Sequence, residues 1–278
     1  MSGTLYLVGT PIGNLNDFSP RALETFAKVD FIAAEDTRVT LHLLNHFNLK
    51  KPLISYHEHN KRERNGEILQ RLENGESCAL VSDAGMPVIS DPGGDMPSLC
   101  YERGIPITVI PGPCAAIAAL ALSGLPAGRF CFEGFLSVNK KSRREHLRSL
   151  AGEVRTMIFY EAPHKLRYTL ADLRNCFGDE RKISLARELT KIHEQVTQMS
   201  LAEAVAYYAE HNPRGEYVLL VEGAPLSPKS NQPAGSLEDA LQLTASYLEQ
   251  GMSRAEAVKH ASKEIGVPRA VLYKASLE

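Results

Sequence analysis

Four short stretches hold side chains whose types and spacing could do chemistry. Glu35-Asp36-Thr37-Arg38 sets two carboxylates beside a guanidinium, suited to acid, base or anion-clamp duty, although such neighbours also form plain ion-paired corners. His57-Glu58-His59-Asn60 offers two imidazoles and a carboxylate. No third or fourth ligand lies at a supporting spacing, so these read as polar groups at a crevice rim, and no metal is expected. The run from Ser82 to Gly94 crowds Asp83, Asp91, Gly85, Gly93, Pro87 and Pro92 into one turn whose glycines let backbone approach a ligand and whose prolines limit movement. Cys114, after Pro111-Gly112-Pro113, has no basic neighbour to lower its pKa and reads as a packed or ligand-contacting thiol rather than a nucleophile.

Each of these stretches follows a short apolar run, which is how a buried strand ends. Residues 5–8, 31–34, 53–56, 79–81 and 107–110 are the runs, and the first opens onto Gly9-Thr10-Pro11-Ile12-Gly13-Asn14. Helical patterns lie between them: Ser19 caps one with Pro20 at its first position, and glycines 75 and 104 stop two others. Strand, loop and helix repeated about five times predict an α/β domain over residues 1–124, with a mostly parallel sheet and helices on both faces. Loops at the carboxyl ends of such strands share one crevice. Beyond Pro126 the strands near 182–188 and 194–199 are only a few residues apart and must be antiparallel, so residues 125–223 are expected to form a second α/β domain with a mixed sheet. Residues 224–235 read as a linker, and 236–278 as a small helical module with a helix-turn-helix outline.

Composition narrows the function classes. The chain has 278 residues, 44% hydrophobic and 23% charged, with a formal net charge of −2, so it does not coat nucleic acid by bulk charge. Nucleic-acid contact must come from local patches. Lys140, Lys141, Arg143, Arg144 and Arg148 form one, and Arg254 and Arg269 in the tail contribute to another. Gly9-Thr10-Pro11-Ile12-Gly13 is not GxGxxG and no GK[ST] is present, which sets aside NAD and ATP. Five widely spaced cysteines without a CxxC read as reduced thiols, and the amino terminus lacks the pattern of a signal peptide, so a cytoplasmic protein is expected.

With these blocks in view the chain resembles the tetrapyrrole methylase superfamily of S-adenosylmethionine-dependent methyltransferases. Residues 7–15, Ala34-Glu35-Asp36-Thr37-Arg38, residues 55–60, the loop from Ser82 to Gly93, and Val109-Ile110-Pro111-Gly112-Pro113 carry the resemblance, which spans essentially the whole length. Ala-Glu-Asp-Thr-Arg with Ser-Asp-Ala-Gly-Met-Pro resembles the branch that methylates a cytidine 2′-hydroxyl in 16S ribosomal RNA. The resemblance implies S-adenosylmethionine as cofactor in a cleft between two α/β domains, a homodimer, and an RNA substrate within the small ribosomal subunit. It places cofactor contacts on Pro11, Ile12, Asp83, Ala84, Gly85, Met86, Pro87, Ile89, Cys114 and Ala115, and in the second domain near Tyr160, Arg187 and Gly215. One departure stands out: the family's usual Gly-Asp-Pro is Gly85-Met86-Pro87 here, so that carboxylate is lost. A ribose hydroxyl is a poor nucleophile while protonated. Asp36, Arg38, His57, Glu58 and His59 are the catalytic candidates, unranked. Two other functions stay open: methylation of a small tetrapyrrole, and RNA binding without catalysis.

Overall fold

The computed structural model describes residues 2–225 and 236–277. The expected linker falls for the most part outside the described residues. The first sheet is built from β1 (Leu5–Val8), β2 (Phe31–Ala34), β3 (Leu53–Ser55), β4 (Cys78–Val81) and β5 (Ile107–Ile110), every pair parallel, in the order β3-β2-β4-β1-β5. Its helices are α1 (Pro20–Lys28), α2 (Thr37–His46), α3 (Lys61–Glu73) and α4 (Met96–Glu102).

Strand period decides which side chains meet which helices. Val8, Ile32, Ala34 and Val81 point to the face covered by α1 and α2, where Phe26 and Leu44 are fully packed. Leu5, Phe31, Ala33 and Leu80 point to the other face, against Ile68 and Leu72 of α3 and Cys100 of α4. Helices therefore cover both faces, as an all-parallel sheet requires. The connection leaving β1 passes β4 to reach β2, and that leaving β4 passes β1 to reach β5, so the chain leaves the carboxyl ends of these adjacent strands in opposite directions, the place where an open α/β sheet puts its ligand.

The helix α5 (Ala115–Leu122) contains no polar residue, and it packs on the second sheet. That sheet comprises β6 (Phe130–Phe135), β7 (Thr156–Glu161), β8 (Lys182–Arg187), β9 (Gln195–Ser200) and β10 (Tyr217–Val221), ordered β6-β7-β10-β8-β9. Only β6 and β7 pair in parallel; the other pairs are antiparallel, including β8 with β9. Ala116, Ala119 and Leu120 of α5 pack with Ile158, Ala186, Val218 and Leu220 on one face of this sheet. On the other lie α6 (Lys140–Ser149), α7 (Pro163–Phe177) and α8 (Leu201–Glu210), which bury Leu147, Leu166, Leu170 and Leu201. The chain to Ala224 is one compact unit.

The remainder forms a second unit. In it α9 (Leu237–Glu249), α10 (Arg254–Ile265) and α11 (Arg269–Ala275) enclose Ala240, Val258, Ala261, Val267 and Leu272. Ser236 with Asp239, and Ser253 with Glu256, form capping boxes that start α9 and α10. Gly266, left-handed at φ 80°, ends α10. No helix among the described residues is long and apolar enough to cross a membrane.

Candidate active site

Backbone contacts, more than side chains, draw three strand ends together. Thr10 and Gly85 exchange backbone hydrogen bonds at 2.9 and 3.1 Å, tying the loop after β1 to the loop after β4. The hydroxyl of Thr10 adds a bond to the carbonyl of Ser82 at 3.2 Å. A Cβ on Gly9 would lie 2.7 Å from the Cα of Gly112, so the loops after β1 and β5 touch through glycine. Gly85 itself has φ 86°, a conformation that favours glycine.

These loops form one wall of a cavity of about 460 Å³ whose other wall comes from the second sheet. Of the expected cofactor residues, Ile12, Asp83, Ala84, Gly85, Met86, Ile89, Cys114, Ala115 and Tyr160 line it. Pro11, Pro87, Arg187 and Gly215 do not. Pro87 is buried within its loop, and the Arg187 guanidinium turns along the sheet to donate to Gln195 Oε1 at 2.9 Å. Gly215 sits so close to Glu188 that a Cβ would be 2.3 Å from its carboxylate; its absent side chain makes room for a wall residue.

The cavity also has residues that strand-end reasoning missed. Glu188 and Lys191, an ion pair at 3.0 Å, reach it from the loop after β8, and Phe135 reaches it from the end of β6, its ring 5.4 Å from that of Tyr160. Asp91 lines it too, although it stands in the very loop whose glycines attracted notice. Its separation from Asp83 by eight residues gave no periodic signal, yet the carboxylate itself, in a small-residue loop, could have marked it.

Carboxylates dominate the charged groups of the wall. Glu35, Asp83, Asp91, Glu161, Glu188 and Glu216 line it against the single ammonium of Lys191. The amide of Asp83 donates to Glu35 at 3.4 Å, and the amide of Asp36 donates to Asp83 at 2.9 Å. Burial pushes the carboxyls of Glu35 and Asp83 above their usual range. Burial, followed by the nearby charge of Glu35, raises Asp91 to about 6.

The catalytic candidates stand beside this wall and not on it. Asp36 caps α2 through the amide of Arg38 and accepts from the Arg38 guanidinium at 2.6 Å, which holds its carboxyl down at about 2. Arg38 is 87% exposed. His57 is half-buried, with Nδ1 unbonded among the described residues, and its ring lies 6.0 Å from that of exposed His59. Glu58 pairs with Lys61 at 2.7 Å. Among the described residues no three His, Cys, Asp or Glu side chains are grouped to hold a metal ion.

The basic helix is only partly free. Arg143 and Arg144 both bind Asp172 of α7, at 2.7 and 3.0 Å, and the Arg143 and Asp172 side chains are just 13% and 6% exposed. These two arginines thus hold α6 to α7. Lys140, Lys141 and Arg148 remain exposed, as do Arg254 and Arg269 in the tail; Arg254 donates to the Ser276 carbonyl at 2.6 Å.

A parallel sheet and a mixed sheet that both line one cleft, with strand-end loops drawn together through glycines, define a class. Residues 4–205 match the family Tetrapyrrole (Corrin/Porphyrin) Methylases, and the chain belongs to that family. Within it, the chain is similar to the ribosomal RNA small subunit methyltransferase I of Synechocystis sp., 49% identical over 99% of this chain and 98% of that protein. The protein of that name from Pseudomonas aeruginosa is 45% identical over 100% of this chain and 98% of its own length. Among solved structures, the methyltransferase CobJ superposes with a TM-score of 0.62 at 22% identity, covering 80% of this chain and 95% of its own. The uroporphyrin-III C-methyl transferase from Thermus thermophilus, solved in complex with S-adenyl homocysteine, gives 0.57 at 18% identity, covering 78% and 97%. These two establish a shared fold.

Proposed function

We propose that this chain uses S-adenosylmethionine to methylate the 2′-hydroxyl of a cytidine in the 16S ribosomal RNA of the small subunit. What carries the reading is one carboxylate-walled cavity in a chain that matches, over almost its whole length, proteins named ribosomal RNA small subunit methyltransferase I.

The residues present fit the cofactor. The cavity is of the size that takes small molecules, and its excess of carboxylates suits a ligand bearing a sulfonium and an ammonium. Ile12, Met86 and Ile89 offer apolar cover for an adenine, while Gly85 brings main chain within reach of its polar edges and the contact of Gly9 with Gly112 holds the neighbouring loops together. The cofactor supplies a methyl group on a cationic sulfur. The chain's task is to place the acceptor oxygen in line with that methyl and keep water out, because positioning accounts for much of the rate in such a displacement.

RNA is held outside the cleft. Arg38, exposed and paired with Asp36, takes a backbone phosphate in this reading, and half-buried His57 and exposed His59 add to the contact. Lys140, Lys141 and Arg148 of α6, and Arg254 and Arg269 of the tail, extend the contact. The reading includes a homodimer, which would cover apolar side chains left about half exposed, Val109 on edge strand β5 and Ile117 and Leu122 on α5. A cytosolic site of action suits the five free cysteines and the RNA substrate.

Incubation with methyl-labelled S-adenosylmethionine and small ribosomal subunits tests the reading, with uroporphyrinogen as the parallel acceptor. Label recovered in a 2′-O-methylcytidine of 16S RNA is the expected result. Label in the porphyrinogen, or in neither, overturns it.

A further inference from the structure

The wall of the cleft contains several carboxylates, and their bonding separates them. Asp36 accepts from its own helix and from Arg38, and is held at about 2, so it is a feeble base. Glu58 is paired with Lys61 and does not line the cavity. Glu35 and Asp83 each accept from a backbone amide. Glu161 is engaged by the Thr169 hydroxyl and the Ala162 amide, and Glu188 by Lys191.

Glu216 has no bonded partner among the described residues but is exposed, whereas Asp91 is half-buried. Asp91 lines the cavity together with Glu35 at the end of β2, Asp83 after β4 and Tyr160 on β7, and the groups that act on its charge are those two carboxylates and the Ser82 hydroxyl. No cation is among them. We propose that Asp91 is the catalytic base, the carboxylate that takes the proton of the attacking hydroxyl as the methyl group moves. This assignment rests on the methyltransferase reading above.

The fold holds this carboxylate in place from both ends of its loop. At the entry, Gly85 is bonded to Thr10. At the exit, Gly93 packs on Leu80 and Tyr56, and the Tyr56 hydroxyl donates to Asn65, whose amide donates to Asp95 at 2.9 Å. Between them Val88 and Ser90 are left-handed, with φ 79° and 65°, and a β-branched residue adopts that conformation only under constraint. These two constrained residues come immediately before the wall carboxylate, in the part of the loop that sets its position. Burial to about 6 gives it more proton affinity than an ordinary carboxylate, and it remains ionised at neutral pH.

The chemistry balances. A lone pair of the hydroxyl oxygen forms the new O–C bond, the C–S bond breaks with its electron pair going to sulfur, and the O–H proton passes to Asp91. A sulfonium and a carboxylate become a neutral thioether and a carboxylic acid. The cleft's total charge is unchanged: the positive charge of the sulfonium is lost as the negative charge of Asp91 is neutralised, which spares Glu35, Asp83 and Asp91 an added repulsion.

Asp91→Asn and Asp91→Glu, in the full chain, test the assignment. Methyl transfer to small subunits in a single turnover should fall at least 100-fold in Asp91→Asn, lose its acid limb, and recover in part in Asp91→Glu. A second readout needs no RNA. Near pH 6 a bound sulfonium should drive a proton off Asp91, so S-adenosylmethionine should release more protons on binding than S-adenosylhomocysteine, by calorimetry in buffers of different ionisation enthalpy. That difference should vanish in Asp91→Asn, while homocysteine-product affinity changes less than threefold. A rate loss below tenfold, or an unaltered acid limb, overturns the assignment. Should the native protein methylate no subunit, the substrate reading fails by itself, and a proton-release difference that persists in Asp91→Asn then overturns the base as well.

Discussion

The amide of Ala116, in the first turn of α5, donates to the phenol oxygen of Tyr160 at 3.2 Å. Cys114 offers no side-chain cap, so a residue 44 positions away on the second sheet satisfies a helix end that follows directly from the first. The same phenol lines the cleft, and burial raises its pKa to about 12. Helix position and cavity wall are thereby linked through one oxygen.

Tyr160→Phe should cost about 1 kcal/mol of stability, the usual worth of a lost cap, and weaken cofactor binding several-fold. Urea denaturation and calorimetry check both. Tyr160 favours folding fully below about pH 10, its ordinary pKa, and that contribution is lost as pH rises toward about 12.

Gly9→Ala should separate the first and third loops, since its Cβ would meet backbone 2.7 Å away. The expected cost is about 1–3 kcal/mol, with cofactor affinity sharply reduced. Gly85→Leu, at φ 86°, should abolish cofactor binding while thermal unfolding stays cooperative. Unchanged affinity in either variant would remove its loop from the site.

Asp91→Asn should stabilise the ligand-free protein at pH 7–8. The folded state holds this proton more tightly than the unfolded chain, with pKa about 6 against 3.8, so wild-type stability is favoured below the lower value and declines as pH rises through the higher. The substitution keeps the neutral form throughout. Allowing for solvent screening of a partly exposed group, a gain of about 1–2 kcal/mol is expected above pH 7, shrinking toward pH 4, as read by denaturation at several pH values.

Asp172→Ala would leave Arg143 half-buried without its carboxylate and should destabilise the protein by about 3 kcal/mol. Burial opposes the charge on Asp172, but hydrogen bonds from Arg143 and Arg144 outweigh it and hold the carboxyl below its usual range. Lys140→Ala, at an exposed position, should leave stability nearly unchanged and weaken subunit binding, with a shallower salt dependence. Equal subunit affinity in filter binding would take α6 out of the RNA contact.

A chain ending at Ala224 should fold and bind S-adenosylmethionine, because the unit to that residue has its own cores. It should lose most methylation of small subunits. Full activity at moderate salt would leave the tail without a docking role.

Local features were legible in the sequence because their causes are local. The apolar runs at Leu5–Val8 and Ile107–Ile110 and the Ser19 cap with Pro20 each depend on neighbours a few positions apart, and the structure has them all. Strand and helix alternation determined a parallel sheet, and parallel strands determined that Gly9, Gly85 and Gly112 end on one side of it. Tertiary structure decided what no spacing encodes. Apolar all round, α5 has no preferred face in its sequence, and only packing chose the second sheet. Arg143 looks like any cation of a basic run until Asp172, 29 residues on, is brought beneath it. Asp91 lies eight residues from Asp83 and 56 from Glu35, and Tyr160 is further still. Their charges and burial became one site only when separate loops met across the cleft, because electrostatic coupling and desolvation depend on distance in space, which the order of residues along a chain does not contain.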